Sequence, residues 1–182
     1  MEGNAIRESR AAFALATLVG AWFMLTLAMS FVAGANFGTL KPDRLRQADQ
    51  VFGALEAGPP REQALRYVAS ELNRRYFALY GRVQVGLAVL AGLAVWRLRP
   101  ARPALRFLIA LCALAALDFL FHLVPAITEL GRQIDFMPRD PKPPEVADFD
   151  RLHHLAVGIE TSKLFLLLLV LLPLLWPRRR SG

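Results

Sequence analysis

The chain has 182 residues, of which 55% are hydrophobic, and it carries a formal net charge of +7. Its apolar residues stand in blocks and its arginines in short clusters beside them, where they indicate membrane topology rather than nucleic-acid binding. This pattern argues against an evenly packed soluble domain and predicts a single polytopic membrane domain over residues 1–182, in contact with the lipid bilayer and not with nucleic acid.

The first apolar block follows a short polar head and predicts a membrane helix over residues 11–33. A cleaved signal peptide is the alternative, since Ala33-Gly34-Ala35 has the small-x-small form of a cleavage site. The apolar run exceeds 20 residues, against about 7–15 in a signal peptide, so a retained helix is favoured.

Residues 36–75 form a long polar connection that predicts a helical hairpin outside the bilayer. Pro42-Asp43 can start a helix, an apolar stripe follows at helical spacing, and Gly58-Pro59-Pro60 stops it. A second helix is expected from near Arg61, and its apolar stripe continues into a membrane helix over residues 76–97.

The turn that follows is the strongest orientation signal, with four arginines between Arg97 and Arg106 and two prolines that break the helix. By the positive-inside rule this turn is cytoplasmic. The third membrane helix is then predicted over residues 104–124, ending at Pro125. The proline-rich residues 126–151 are predicted to be an extended connection on the outside.

The last membrane helix is predicted over residues 155–176, a leucine-rich run that ends in the basic tail Arg178-Arg179-Arg180. The tail and the arginine turn support one topology, in which both termini are cytoplasmic and both long connections are periplasmic. Together with the arginine bias, this predicts a multi-pass protein of a bacterial inner membrane. The fold class is therefore all-α, an integral membrane four-helix bundle with the extramembrane hairpin between helices 1 and 2.

Ionisable residues inside membrane helices are costly and are candidates for function. Asp118 and His122 are four residues apart and share one face of the third helix, while residues 153, 160 and 163 share one face of the fourth. The predicted helix ends place them at similar depth in the outward-facing half. The sequence thus predicts one polar cluster of six residues: Arg82, Asp118, His122, His153, Glu160 and Lys163.

Three interpretations of this cluster remain open. In the first, Arg82 and Lys163 neutralise the two carboxylates and fix helix register. In the second, a metal or haem is held by ligand types that this cluster offers, namely His122, His153, Asp118 and Glu160. In the third, protons or ions pass along the carboxylates and histidines.

Several short stretches resemble the transmembrane protein 205 family of small four-helix membrane proteins. They are Gly20-Ala21-Trp22 and Phe31-Val32-Ala33-Gly34 in the first helix, Tyr76-Phe77 in the second, and Leu152-His153 with Leu155-Ala156 in the last. The resemblance implies four helices and a membrane location, and it matches His153 to a histidine of the family. It implies no catalytic residue.

The sequence carries no nucleophile–base pair, P-loop or zinc motif. It favours a non-enzymatic accessory or assembly component without a cofactor, with membrane-protein partners or a homo-oligomer as its associations. The alternative is a binding or transport protein that handles a metal, haem or protons at the polar cluster.

Overall fold

The computed structural model describes residues 2–41, 43–45, 59–98, 103–137 and 141–176. Over these residues the structure is helical and contains no strand. The predicted helix between Pro42 and Leu55 lies largely outside the described residues.

Four long helices make up the described chain. Helix α1 spans Glu2–Thr39, α2 spans Pro59–Trp96, α3 spans Pro103–Ile134, and α4 spans Pro144–Leu175. Each is long and apolar enough to cross a membrane. The chain therefore has the helices of a multi-pass membrane protein, as its apolar blocks predicted.

The helices run up and down in turn. The end of α1 pairs with the early part of α2 through Asn36 and Asn73, while Trp22, further back in α1, pairs with Gln84, further on in α2. As the residue number falls from 36 to 22 along α1, that of its partner rises from 73 to 84 along α2, so the two helices are antiparallel. Helix α1 packs against α2 and α4, and so does α3, so that α2 and α4 lie diagonally across the bundle.

Helix α3 does not end at Pro125, where the sequence predicted its end. Its first α-helical piece, Pro103–Asp118, passes through a π-helical turn, Phe119–Leu123, into a second α-helical piece, Val124–Ile134. The backbone N–H of Val124 reaches the carbonyl of Phe119, five residues back. A proline cannot donate a helical hydrogen bond and crowds the preceding turn, and the wider π-turn accommodates it without breaking the helix.

The prediction of an extended connection over residues 126–151 is therefore wrong at both ends. Residues 126–134 continue α3, and α4 begins at Pro144, where the extended Pro143 precedes a proline in the first turn. Residues 126–134 and the first turns of α4 are polar because they are partly exposed stretches of helices that extend past the apolar segments.

The core divides into two apolar clusters, one at each end of the bundle. The closed half contains the start of α1, the end of α2, the start of α3 and the end of α4, with Leu15, Ile109 and Leu167 among its buried residues. The open half contains the other helix ends, and its smaller cluster includes Tyr80, Phe119 and Ala156. A layer of polar side chains lies between the two clusters.

Candidate functional site

The polar layer is built from pairs of residues one helical turn apart. Thr26 follows Trp22 by four residues on α1, Gln84 follows Tyr80 by four on α2, and Lys163 follows Glu160 by three on α4. Residues three or four apart share one helix face. Three helices thus each direct two polar or amphipathic side chains at the same level of the bundle.

Lys163 lies at the centre of this layer and is fully buried, with 0% of its surface exposed. Its Nζ is 2.6 Å from both carboxylate oxygens of Glu160 and donates a hydrogen bond to Gln84 Oε1. The ammonium also lies over two aromatic rings, 5.8 Å from the centroid of Trp22 and 5.4 Å from that of Tyr80. A buried ammonium needs this compensation, because an unpaired charge in an apolar interior is very costly.

Glu160 links this ion pair to a second chain of hydrogen bonds. The Tyr80 hydroxyl lies 2.5 Å from Glu160 Oε2 and 2.9 Å from Thr26 Oγ1. Thr26 in turn donates to the backbone carbonyl of Trp22 at 3.0 Å. The single hydroxyl proton of Tyr80 is therefore already taken by Glu160 or Thr26, so Tyr80 has no free donor to offer the cavity. The Gln84 Nε2 atom has no hydrogen-bond partner in the described part of the chain, but Gln84 does not line the cavity.

A cavity of about 540 Å³ occupies the open half, and Glu160 and Tyr80 lie at its inner end, the floor. All four helices line it, and most of its wall is apolar, including Met29, Phe77 and Ile127. The Glu160 side chain remains 15% exposed, whereas Lys163 behind it is fully buried. At the floor, the Glu160 carboxylate thus faces the cavity, while its counter-ion Lys163 lies behind it in the protein.

A second set of ion pairs lies at the far end of the cavity. Arg74 on α2 lies 2.6 Å from Glu71 and 2.7 Å from Asp135, which follows α3. Arg66 donates to the backbone carbonyl of Asp135 at 3.1 Å. Gly131 permits this arrangement, since a Cβ there would lie 3.0 Å from the Arg74 Nη2 atom. These contacts fasten α2 to the end of α3.

The structure divides the six residues that the sequence grouped in one cluster. Glu160 and Lys163 meet in the interior, and His153 lines the same cavity as Glu160, its ring stacked on Phe149 with centroids 6.0 Å apart.

The expectation of a single patch needs correction for the other three. His122 Nδ1 lies 3.1 Å from Asp118 Oδ1, and this pair is on the outer surface of the bundle, with the His122 side chain 77% exposed. Arg82 is also exposed, and it forms no ion pair with another described residue. Asp118 is thus partnered by His122 and not by Arg82. The pattern of residues four apart identified a shared face, but it could not tell whether that face turns inward or outward.

Sequence reasoning missed Tyr80 and Thr26 in the layer and the ion pairs at the far end of the cavity. Tyr80 and Thr26 are ordinary residues in apolar runs, and only their position opposite Glu160 reveals their role. The four-residue spacing of Tyr80 and Gln84 was the available signal. Arg74 and Asp135 are far apart in the chain, and no sequence pattern joins them.

The described residues do not bring the proposed metal ligands together. Within residues 2–41, 43–45, 59–98, 103–137 and 141–176, no three His, Cys, Asp or Glu side chains are grouped so that they could hold a metal ion. Cys112 is buried in the closed half, away from the histidines of the open half.

Comparison with known proteins adds no further assignment. No protein-family model, no curated protein and no solved structure matches this chain.

Proposed function

We propose that this protein is a non-enzymatic, multi-pass protein of a bacterial inner membrane that binds a small molecule in the cavity of its open half. The observation that carries the proposal is a half-enclosed, mostly apolar cavity of about 540 Å³ ending on the Glu160 carboxylate. Ligand sites typically have volumes of roughly 300–1,000 Å³ and combine apolar walls with a few polar groups.

The arginine clusters support an orientation for this proposal. Helices α2 and α4 both end in the closed half; Arg97 directly follows α2, and in the sequence the basic tail Arg178-Arg179-Arg180 follows α4. Basic residues favour the cytoplasmic side. The open half then faces the periplasm. The resemblance to the transmembrane protein 205 family agrees with a four-helix membrane protein and remains part of the proposal.

Binding is favoured over passage of protons or ions. The polar layer contacts the cavity on one side only, and on the other side the closed half is filled by apolar side chains such as Val19, Ala91 and Leu167. Ion pathways through membrane proteins need polar groups or water along their length. Because the polar groups stop at Lys163 and do not continue through the closed half, the cavity is better interpreted as a binding pocket than as an ion pathway.

A second candidate is an accessory or assembly component in which the polar layer is purely structural. It is favoured by the cancellation of charge between Glu160 and Lys163 and by the hydrogen bonds that join three helices at this level. Such a layer fixes the register of the helices. A metal or haem at His153 and Glu160 is the third candidate.

Native mass spectrometry of the full chain, released gently from its own membrane, tests the proposal. We expect a mass above that of the chain by one small organic molecule. Ala33→Phe should remove the extra mass, because Ala33 lines the cavity, whereas Ala28→Phe should retain it, because Ala28 is exposed on the same helix and does not line the cavity.

The other outcomes decide between the candidates. A bare chain, or a chain with only protein neighbours, contradicts ligand binding and favours the accessory role. An added mass equal to a metal ion or haem favours the third candidate and directs attention to His153.

A further inference from the structure

We infer, on the basis of the proposed function, that the ligand is an uncharged, lipid-soluble alcohol or phenol that reaches Glu160 sideways from the bilayer, between α1 and α4. The inference has two parts, a route and a head-group chemistry, and separate observations carry them.

The route follows from which cavity residues are exposed. On α2 and α3, every described lining residue is buried or half-buried. The exposed lining residues all belong to the other two helices, namely Ser30, Gly34 and Phe37 on α1 and His153 and Val157 on α4. The cavity therefore opens between α1 and α4.

The two helices pack together most tightly in the closed half of the bundle. In the closed half both contribute fully buried side chains, including Leu15 from α1 and Leu167 from α4. Beyond Thr26, however, α1 has no buried side chain as far as its end at Thr39, a stretch that is described in full. The outer part of α1 is held instead by α2, through the Asn36–Asn73 hydrogen bond.

The water-facing end of the cavity is the less open one. Asp135 and Ile134 are buried there, and the ion pairs of Arg74 fasten α2 to the end of α3. The sideways opening itself carries exposed apolar side chains, with Phe37 on α1 44% exposed and Val157 on α4 49% exposed. In a membrane such a surface faces lipid, so the opening admits molecules dissolved in the bilayer.

The charges around the cavity favour an uncharged ligand. Glu160 is neutralised by Lys163 at the floor, and at the far end the two carboxylates of Glu71 and Asp135 are matched by the two arginines Arg74 and Arg66. A charged ligand would bring an uncompensated charge against an apolar wall, which is costly.

The head group follows from the hydrogen-bonding capacity of the floor. A carboxylate only accepts hydrogen bonds, and the proton of the Tyr80 hydroxyl is already used within the layer. The ligand must therefore supply the donor. A hydroxyl does so without carrying charge. A ketone, ester or ether has only acceptor oxygens and can form no hydrogen bond with a carboxylate, which is also an acceptor.

The test uses the purified full chain in lipid nanodiscs and two photoreactive probes. One is a long-chain primary alcohol with a diazirine in its chain, and the other is the methyl ether of the same molecule. After irradiation, labelled peptides are identified by mass spectrometry, with excess unlabelled alcohol as competitor. We expect competable labelling of α1 and α4 residues that line the cavity, reduced roughly tenfold or more for the ether, which lacks the hydrogen bond to a charged acceptor.

A matched pair of glycine variants tests the route. A Cβ at Gly34 meets nothing within 4 Å, so a side chain can begin there without a clash, and because Gly34 lines the cavity, we expect a tryptophan at this position to fill the opening. Gly158 on α4 is equally unobstructed and exposed but does not line the cavity. We expect Gly34→Trp to abolish labelling by the alcohol and Gly158→Trp to leave it unchanged.

The outcomes separate this inference from the function on which it rests. Equal labelling by alcohol and ether, or labelling that persists in Gly34→Trp, overturns the inference while ligand binding stands. If neither probe labels the cavity but native mass spectrometry still shows a bound organic molecule, the ligand belongs to another class and the inference again fails. If neither probe labels and no molecule is bound, both proposals fail.

Discussion

The closed and open halves of the bundle are built from the same four helices, but the closed half is filled by side chains and the open half contains a cavity. In the closed half, small residues such as Ala91 and Ala116 are fully buried and let the helices approach closely, so that Leu167 and Val170 fill the space between them. In the open half, the rings of Phe77 and Tyr80 both pack on Phe119, and a cavity remains beside them. Close packing of membrane helices depends on small residues, and a half with aromatic and polar side chains instead leaves room for a ligand.

The boundary between the halves should be the most sensitive part of the molecule. We expect Lys163→Met to lower the free energy of unfolding by about 3–5 kcal/mol, because it leaves Glu160 in the interior without its counter-ion. The measurement compares the free energies of unfolding of the variant and the unmodified protein in bicelles. Adding Glu160→Gln removes the unpaired charge and should restore most of the loss. If the double variant is no more stable than Lys163→Met alone, the ion pair is not what stabilises this layer.

The contrast in packing between the halves predicts unequal costs for equivalent truncations. Leu167→Ala in the closed half should cost about 2–3 kcal/mol, because it opens a void in a filled core. Ile127→Ala in the open half should cost less than about 1 kcal/mol, because that side chain already borders a cavity. The same unfolding measurement compares them, and equal losses would contradict the division into a filled and an unfilled half.

The hydrogen bonds of Tyr80 should contribute less than the ion pair. Tyr80→Phe removes the hydroxyl between Glu160 and Thr26 and keeps the ring packed, so we expect a loss of about 1–2 kcal/mol. Thr17→Ala is a suitable control, since its hydroxyl bonds only to the backbone of its own helix on an exposed face. A Tyr80→Phe variant as stable as this control would mean that the hydroxyl adds nothing to the layer.

The smallest effect concerns the approach of α2 to the π-helical turn of α3. A Cβ at Gly81 would lie 3.0 Å from Leu120 Cδ1, whereas a Cβ at Gly86 on the same helix meets nothing within 4 Å. We expect Gly81→Ala to destabilise the protein by about 1 kcal/mol and Gly86→Ala to have no cost or a slight benefit. Equal melting temperatures for the two variants would show that the turn adjusts freely.

Much of the fold could be predicted from the sequence, since apolar runs long enough to cross a bilayer require helices. The ends of α3 and α4 could not, because polar composition is compatible with both an exposed helix and an extended connection. Pro125 was a reasonable helix end, and the π-helical turn before it arises from hydrogen bonding that no residue pattern encodes. The hairpin and the membrane orientation remain predictions.

The site was predictable only in part. Glu160 and Lys163 were predicted to share one face of the last helix with His153, and the two do meet inside the bundle. Asp118 and His122 carried the same kind of signal and lie on the outer surface. Periodicity gives the relative direction of two side chains on a helix, whereas the rotation of that helix against its neighbours depends on the whole bundle. The cavity has no sequence signature for the same reason.

The Glu160–Lys163 pair has a consequence for how the protein is made. The two residues are three apart on α4, so the pair can form as soon as this helix does, before any other helix is beside it. A lone charge near the centre of a nascent segment opposes its transfer into lipid by about 3 kcal/mol, and a pair within one helix reduces that barrier. The last helix can therefore leave the insertion machinery already neutralised, and the interactions with Gln84 and Tyr80 follow when the bundle assembles.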